Sequence, residues 1–137
     1  MKNLIALAAL LFSSASQAGE LKLELSAPGL QGKTLNVAIH SSAADFPMRD
    51  DKAIRRRIVA TGDVTMLLLA DIPSGEYAIS VYADLNGNGK LDTNFIGIPN
   101  EPTGASRDAS SHFGPPGFKD AAFILGEGTT SQTIHIK

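Results

Sequence analysis

Glu76-Tyr77-Ala78-Ile79-Ser80-Val81-Tyr82-Ala83 runs without a break into Asp84-Leu85-Asn86-Gly87-Asn88-Gly89-Lys90-Leu91-Asp92. The first half alternates, with Tyr77, Ile79 and Val81 on one face, and a period of two is the mark of a half-buried strand. The second half is crowded with oxygen-bearing side chains and glycines, a composition suited to a loop. A strand ending in such a loop is the unit around which the rest of the chain is read.

The same alternation recurs on both sides of that unit. Glu20 to Leu25 sets Leu21, Leu23 and Leu25 against Glu20, Lys22 and Glu24, and Thr34 to His40 sets Leu35, Val37 and Ile39 inward. Near the end, Ala121 to Leu125 and Gln132 to Lys137 turn Phe123, Leu125, Ile134 and Ile136 inward. Ala53 to Ala60 reads as an edge strand, its arginines discouraging sheet-to-sheet association. The continuous apolar run Val64 to Leu69 reads as a strand buried on both sides. Between these segments stand turn signals such as Pro28-Gly29, Thr61-Gly62-Asp63, Ile72-Pro73-Ser74-Gly75 and Gly126-Glu127-Gly128. Short strands at this spacing, with no helical period of useful length, predict an all-β, antiparallel β-sandwich of about seven strands. His40 and His135 fall on outward faces of their strands, and three scattered histidines give no zinc signature.

The chain opens with Lys2, an apolar run from Leu4 to Phe12, and the small-x-small ending Ser16-Gln17-Ala18. That pattern predicts a signal peptide over residues 1–18 and a single sandwich domain over 19–137. The run is shorter than the about 20 residues that cross a bilayer, so no transmembrane segment is expected after cleavage. The expected address is periplasmic or secreted. The absence of cysteine means that no disulfide staples the fold. Loss of Lys2 takes the formal charge from −2 to −3, which gives no reason to expect nucleic acid. Arg55-Arg56-Arg57 is the one basic run, and it reads as a solvated edge.

The loop from Asp84 has the chemistry of a hard-cation site. An EF-hand-type loop places Asp or Asn at positions one, three and five, Gly at six, a backbone carbonyl at seven and a further oxygen at nine. Counted from Asp84, these are Asp84, Asn86, Asn88, Gly89, Lys90 and Asp92. Position twelve is Phe95, so the closing carboxylate is missing, and an acid from elsewhere (Glu101, Asp108 or Asp120) would have to complete the set. The resulting expectation is weak calcium binding, on the order of 10⁻⁴ to 10⁻³ M. A metal-free turn, with Asn and Asp bonding their own backbone and the glycines at positive φ, fits the same letters.

After the loop the alternation stops until Lys119. Such a long excursion is functional or disordered, and this one carries Phe95, Ile96, Ile98, Phe113 and Phe118 with four prolines, so it reads as ordered. His112 with Asp108 or Asp120 has the makings of a general base and its orienting acid. No nucleophile elbow and no His-Glu-x-x-His pair stands beside it.

Taken together, Asp84-x-Asn86-x-Asn88-Gly89-Lys90-Leu91-Asp92, Gly97-Ile98-Pro99 with Glu101, and Phe113-Gly114-Pro115-Pro116-x-Phe118-x-Asp120-Ala121 resemble an uncharacterised secreted bacterial family, domain of unknown function 2141. Ile72-Pro73-x-Gly75-x-Tyr77-Ala78 is similar to that family too. The resemblance implies an extracytoplasmic Ig-like or transthyretin-like sandwich and carries no activity. Joint occurrence of the Asp84 and Phe113–Asp120 motifs implies that they meet in space, with Asp120 supplying the oxygen that Phe95 lacks. The expected function is a binding or structural module of the cell envelope, its partner an envelope protein or a small ligand. The alternative is a small hydrolase or lyase using His112 with nearby carboxylates, and a further one is a partner engaged by strand addition at a sheet edge.

Overall fold

A computed structural model describes residues 17–49, 51–111 and 114–137. Strands β1 (Ala18–Ser26), β2 (Thr34–His40), β3 (Ile54–Val59), β4 (Val64–Pro73), β5 (Gly75–Asp84), β6 (Thr103–Ala105), β7 (Phe123–Leu125) and β8 (Thr129–His135) form two sheets. One is three-stranded in the order β4-β1-β8. The other is five-stranded in the order β3-β2-β5-β6, with β7 pairing β5. The only helical pieces among the described residues are a single 3-10 turn at Ser106–Asp108 and α1 (Phe118–Ala121).

The leucines of β1 explain why the sheets stack. Leu21, Leu23 and Leu25 are fully buried and share one core with Leu35, Val37, Ile39, Ile79, Val81 and Ile134. Each such side chain contributes about 1.5–3 kcal/mol when removed from water, and alternation puts all of them on the inner faces. Among the described strands every pairing is antiparallel except β1 with β8, which is parallel.

Two expectations are corrected. β4 is not buried on both sides. Thr65 and Leu69 are buried, while Met66 and Leu68 are 52% and 58% exposed. The sheet is only three strands wide, β4 lies at its edge, and the outer face of that strand stays open. His40 does alternate outward, yet it is 1% exposed. The Phe46 ring packs edge-on against it, with centroids 5.3 Å apart, and Phe118 packs edge-on against Phe46 at 6.0 Å. A second small core of Phe46, Ala78, Ala105 and Ala121 therefore roofs one end of the five-stranded sheet.

Small residues sit where that roof comes close. A Cβ on Gly104 would lie 2.6 Å from the His135 carbonyl oxygen and 2.8 Å from Ile134 Cγ2, so glycine lets β6 approach β8. Ser106, fully buried, accepts a hydrogen bond from the Ile79 N–H at 2.9 Å and donates to the Ala121 carbonyl at 2.6 Å. One hydroxyl thereby ties β5 to α1. Ser106→Ala leaves a buried N–H and a buried carbonyl without that partner. The expected loss is about 2–3 kcal/mol, read as a lower urea midpoint at unchanged slope.

Candidate metal-binding loop

Asp84 ends β5 opposite Thr34 and is 3% exposed. A carboxylate at such depth needs donors, and the following turn supplies them. Oδ1 accepts the Asn88 N–H at 3.2 Å and Oδ2 the Gly89 N–H at 2.7 Å. The chain curls back so tightly because Gly87 and Gly89 take φ of 72° and 74°, in the left-handed region that glycine enters without cost from a Cβ. Arg57 Nη2 lies 4.0 Å from Asp84 Oδ2, with its side chain 60% exposed. The Tyr82 hydroxyl donates to the Gly89 carbonyl at 2.9 Å.

The outer rim of the turn is built from amides and one carboxylate. Asn86 Oδ1 accepts the Asn88 N–H at 3.2 Å, and Asn88 Oδ1 accepts the Lys90 N–H at 3.0 Å. The two side-chain amides then converge on Asp92. Asn86 Nδ2 donates to Asp92 Oδ2, and Asn88 Nδ2 donates to Asp92 Oδ1 at 2.7 Å.

Glu101 ties the ends of the loop together. It is 7% exposed; Oε2 accepts the Leu85 N–H at 2.6 Å and Oε1 the Asp92 N–H at 2.9 Å. One carboxylate thus holds both ends of the loop. Beyond it the chain returns on itself. The Asn100 N–H reaches the Asp92 carbonyl at 2.8 Å, and the Asn94 N–H reaches the Ile98 carbonyl at 2.8 Å. Phe95, at the tip, is 99% exposed.

Asp120 stands apart from this group. It lies exposed on α1, whose Ala121 packs with Ala78 of β5. Ala78 precedes Asp84 by six strand residues, about 20 Å. The two family motifs therefore cover opposite ends of β5, and Asp120 is not brought to the loop. Of the three acids the sequence offers, Glu101 is the one at the loop, where both its oxygens accept backbone N–H groups.

Asp108 is engaged elsewhere. Its carboxylate accepts the His135 backbone N–H at 3.0 Å and pairs with His135 Nδ1 at 2.8 Å. Partial burial pushes its carboxyl up, but the His135 N–H, the His135 ring and the Lys137 charge outweigh that and hold it below the usual carboxylate range. Arg107 and Asp108 both have positive φ, 58° and 50°, so the backbone is bent to present this acid to β8. His112 lies outside the described residues. Nothing local in the sequence marks the Asp108–His135 pair, which joins residues far apart in the chain.

Asp84, Asn86, Asn88 and Asp92, with the backbone at Lys90, are the residues able to offer oxygens to a hard cation. Among the described residues, no group of three or more His, Cys, Asp or Glu side chains could hold a metal ion. Any cation here would rely on amide and carbonyl oxygens as much as on carboxylates.

Between this loop and the Phe46 core, the outer face of the five-stranded sheet is open. A wide groove runs there, floored by Asn36, Ser80 and Tyr82, flanked by Arg55 and Arg57, and overhung from the excursion by residues such as Ile98. The molecule is thus a two-sheet sandwich with a carboxylate-pinned flap on one outer face. The chain belongs to a bacterial family described as an uncharacterized protein conserved in bacteria (DUF2141), whose model matches residues 30–133. No curated protein and no solved structure matches it. No helix among the described residues is long and apolar enough to cross a membrane.

Removing Glu101 tests its role. Glu101→Ala leaves the Leu85 and Asp92 N–H groups without their acceptor, at a cost of about 1–3 kcal/mol for each that stays buried. Limited proteolysis is expected to cut between residues 85 and 100 at least tenfold faster than in the unaltered chain, while the sandwich remains folded.

Proposed function

We propose that the chain is an exported binding module of the bacterial cell envelope, its long excursion braced by calcium at the Asp84–Asp92 loop. Export is supported by the basic start, short apolar run and small-x-small ending of residues 1–18. A binding role is supported by a long excursion that is folded back and pinned, the kind of loop on which rigid scaffolds carry recognition.

The calcium reading rests on one observation, the convergence of Asn86 and Asn88 on both oxygens of Asp92 beside the buried Asp84. Asn oxygen and nitrogen differ only by a flip of the amide. Turned over, the two amides present oxygens toward Asp92 and give up the Oδ1 bonds from the Asn88 and Lys90 N–H groups, so a divalent cation between them has to replace those bonds as well as the amide–carboxylate ones. With two carboxylates and no bidentate glutamate, affinity belongs at the extracellular end of the range, on the order of 10⁻⁴ to 10⁻³ M.

A thermal melt in calcium and then in chelator tests this. Calcium at 100 times its Kd stabilises by about 2.7 kcal/mol, a rise of roughly 10 °C for a domain of this size. Asp84→Ala and Asp92→Ala are each expected to remove the shift. A shift that survives both places the ion elsewhere, and no shift at 10 mM or more calcium, a concentration of the order the expected affinity calls for, leaves the loop a self-bonded turn.

A further inference from the structure

β3 is an edge strand of the five-stranded sheet, and its three central residues are Arg55, Arg56 and Arg57, all exposed. Register settles where each points. Arg55 stands beside Ala38 and Arg57 beside Asn36, on the outer face with Ser80 and Tyr82. Arg56 stands beside Val37 on the inner face, between Ile54 and Ile58, which pack half-buried against the core. Among the described residues no carboxylate lies within 4.0 Å of Arg55 or Arg56. Arg56 donates to its neighbour's carbonyl at 2.8 Å, and Arg57 only grazes Asp84 at 4.0 Å. Next to Arg57, the buried Asn36 Nδ2 has no acceptor among the described residues.

We propose that this edge takes up an extended acidic segment of another protein as an added strand. The inference rests on the binding-module reading above, for which it names a partner, and is independent of calcium. Three observations carry it. The edge offers backbone groups over six residues, and strand addition draws affinity from main-chain bonds and specificity from alternate side chains. Arg55 and Arg57 stand two residues apart on one face, about 6.6–6.8 Å, which is the spacing of alternate residues in an extended peptide. Acids at those two positions oppose the arginines, while aliphatics one step outside them extend the inner face over Ile54 and Ile58. The required pattern is aliphatic–acid–any–acid–aliphatic. The groove beside Arg55 and Arg57 leaves room for the acidic side chains. A second copy of this chain is rejected by the same arginines, because like charges directly opposite each other destabilise a strand pair.

Two labelled peptides of equal composition test the proposal by fluorescence anisotropy, in chelator so that calcium plays no part. Thr-Val-Glu-Thr-Glu-Val-Thr carries the pattern, and Thr-Glu-Val-Thr-Val-Glu-Thr exchanges its acids and valines. The first is expected to bind saturably, at least tenfold tighter than the second, and to weaken as salt rises. Arg55→Glu with Arg57→Glu is expected to weaken it tenfold or more. Arg55→Glu alone, remote from the Asp84 loop, gives the same direction should the double variant misfold. Equal binding of the two peptides, unchanged binding by the variants, no binding at 1 mM peptide on the order of the weakest specific complexes, or tighter capture of an oligogalacturonate than of the first peptide would each overturn the proposal. The calcium melt reports on the loop separately, so either idea can fail alone.

Discussion

Two carboxylates are buried at the same end of β5, and neither is neutralised by a close cation. Asp84 and Glu101 are 3% and 7% exposed. Taking such groups out of water is tolerable only if they are hydrogen-bonded, and Arg57, the one cation within 4.0 Å of Asp84 among the described residues, is 60% exposed. The donors are instead four backbone N–H groups, those of Asn88 and Gly89 for Asp84 and those of Leu85 and Asp92 for Glu101. That requirement shapes the turn. It explains why glycines stand at 87 and 89, why the chain doubles back at Asp92, and why an excursion without sheet pattern still has a defined path.

The consequence extends along the outer face of the five-stranded sheet. At one end the carboxylates pin the flap. At the other, Phe46, Phe118 and Ala121 cover His40 and Ala78. The strip between them is open, with Asn36, Ser80 and Tyr82 as floor, apolar residues such as Ile98 overhanging it and the arginines of β3 along one margin. The inner faces of the sandwich stabilise the fold, and this outer strip is left uncovered.

Much of this was legible in the letters, for reasons that differ by element. β1 and β5 could be read because alternation maps directly onto a half-buried strand, and Leu21, Leu23, Leu25, Ile79 and Val81 are where it puts them. β3 could be read as an edge from its charges. β4 could not be read correctly, since an apolar run does not reveal that its sheet is three strands wide. His40 followed the right parity, but its burial depends on Phe46 and α1, brought over it by tertiary packing. β6 is three residues within the excursion, and its signal is a single glycine whose need is set by the backbone of His135.

At the site, the oxygen-rich loop was visible from composition, whereas its closure was not. Spacing alone did not separate Glu101, Asp108 and Asp120, and the family resemblance pointed to Asp120. Only the path of the chain assigns the first to the loop, the second to His135 and the third to the far end of β5. Co-occurrence of two motifs does not require that they touch, and here both serve the same strand from opposite ends.

The claim on which all this depends is that Asp84 and Glu101 hold the flap through backbone N–H groups. Amide hydrogen exchange of Leu85, Asn88, Gly89 and Asp92, followed residue by residue by NMR, measures it most directly. Protection on the order of 100-fold or more at these four amides, against none at exposed Phe95, is the expected result. Exchange of all four at the rates of an unstructured peptide would contradict it.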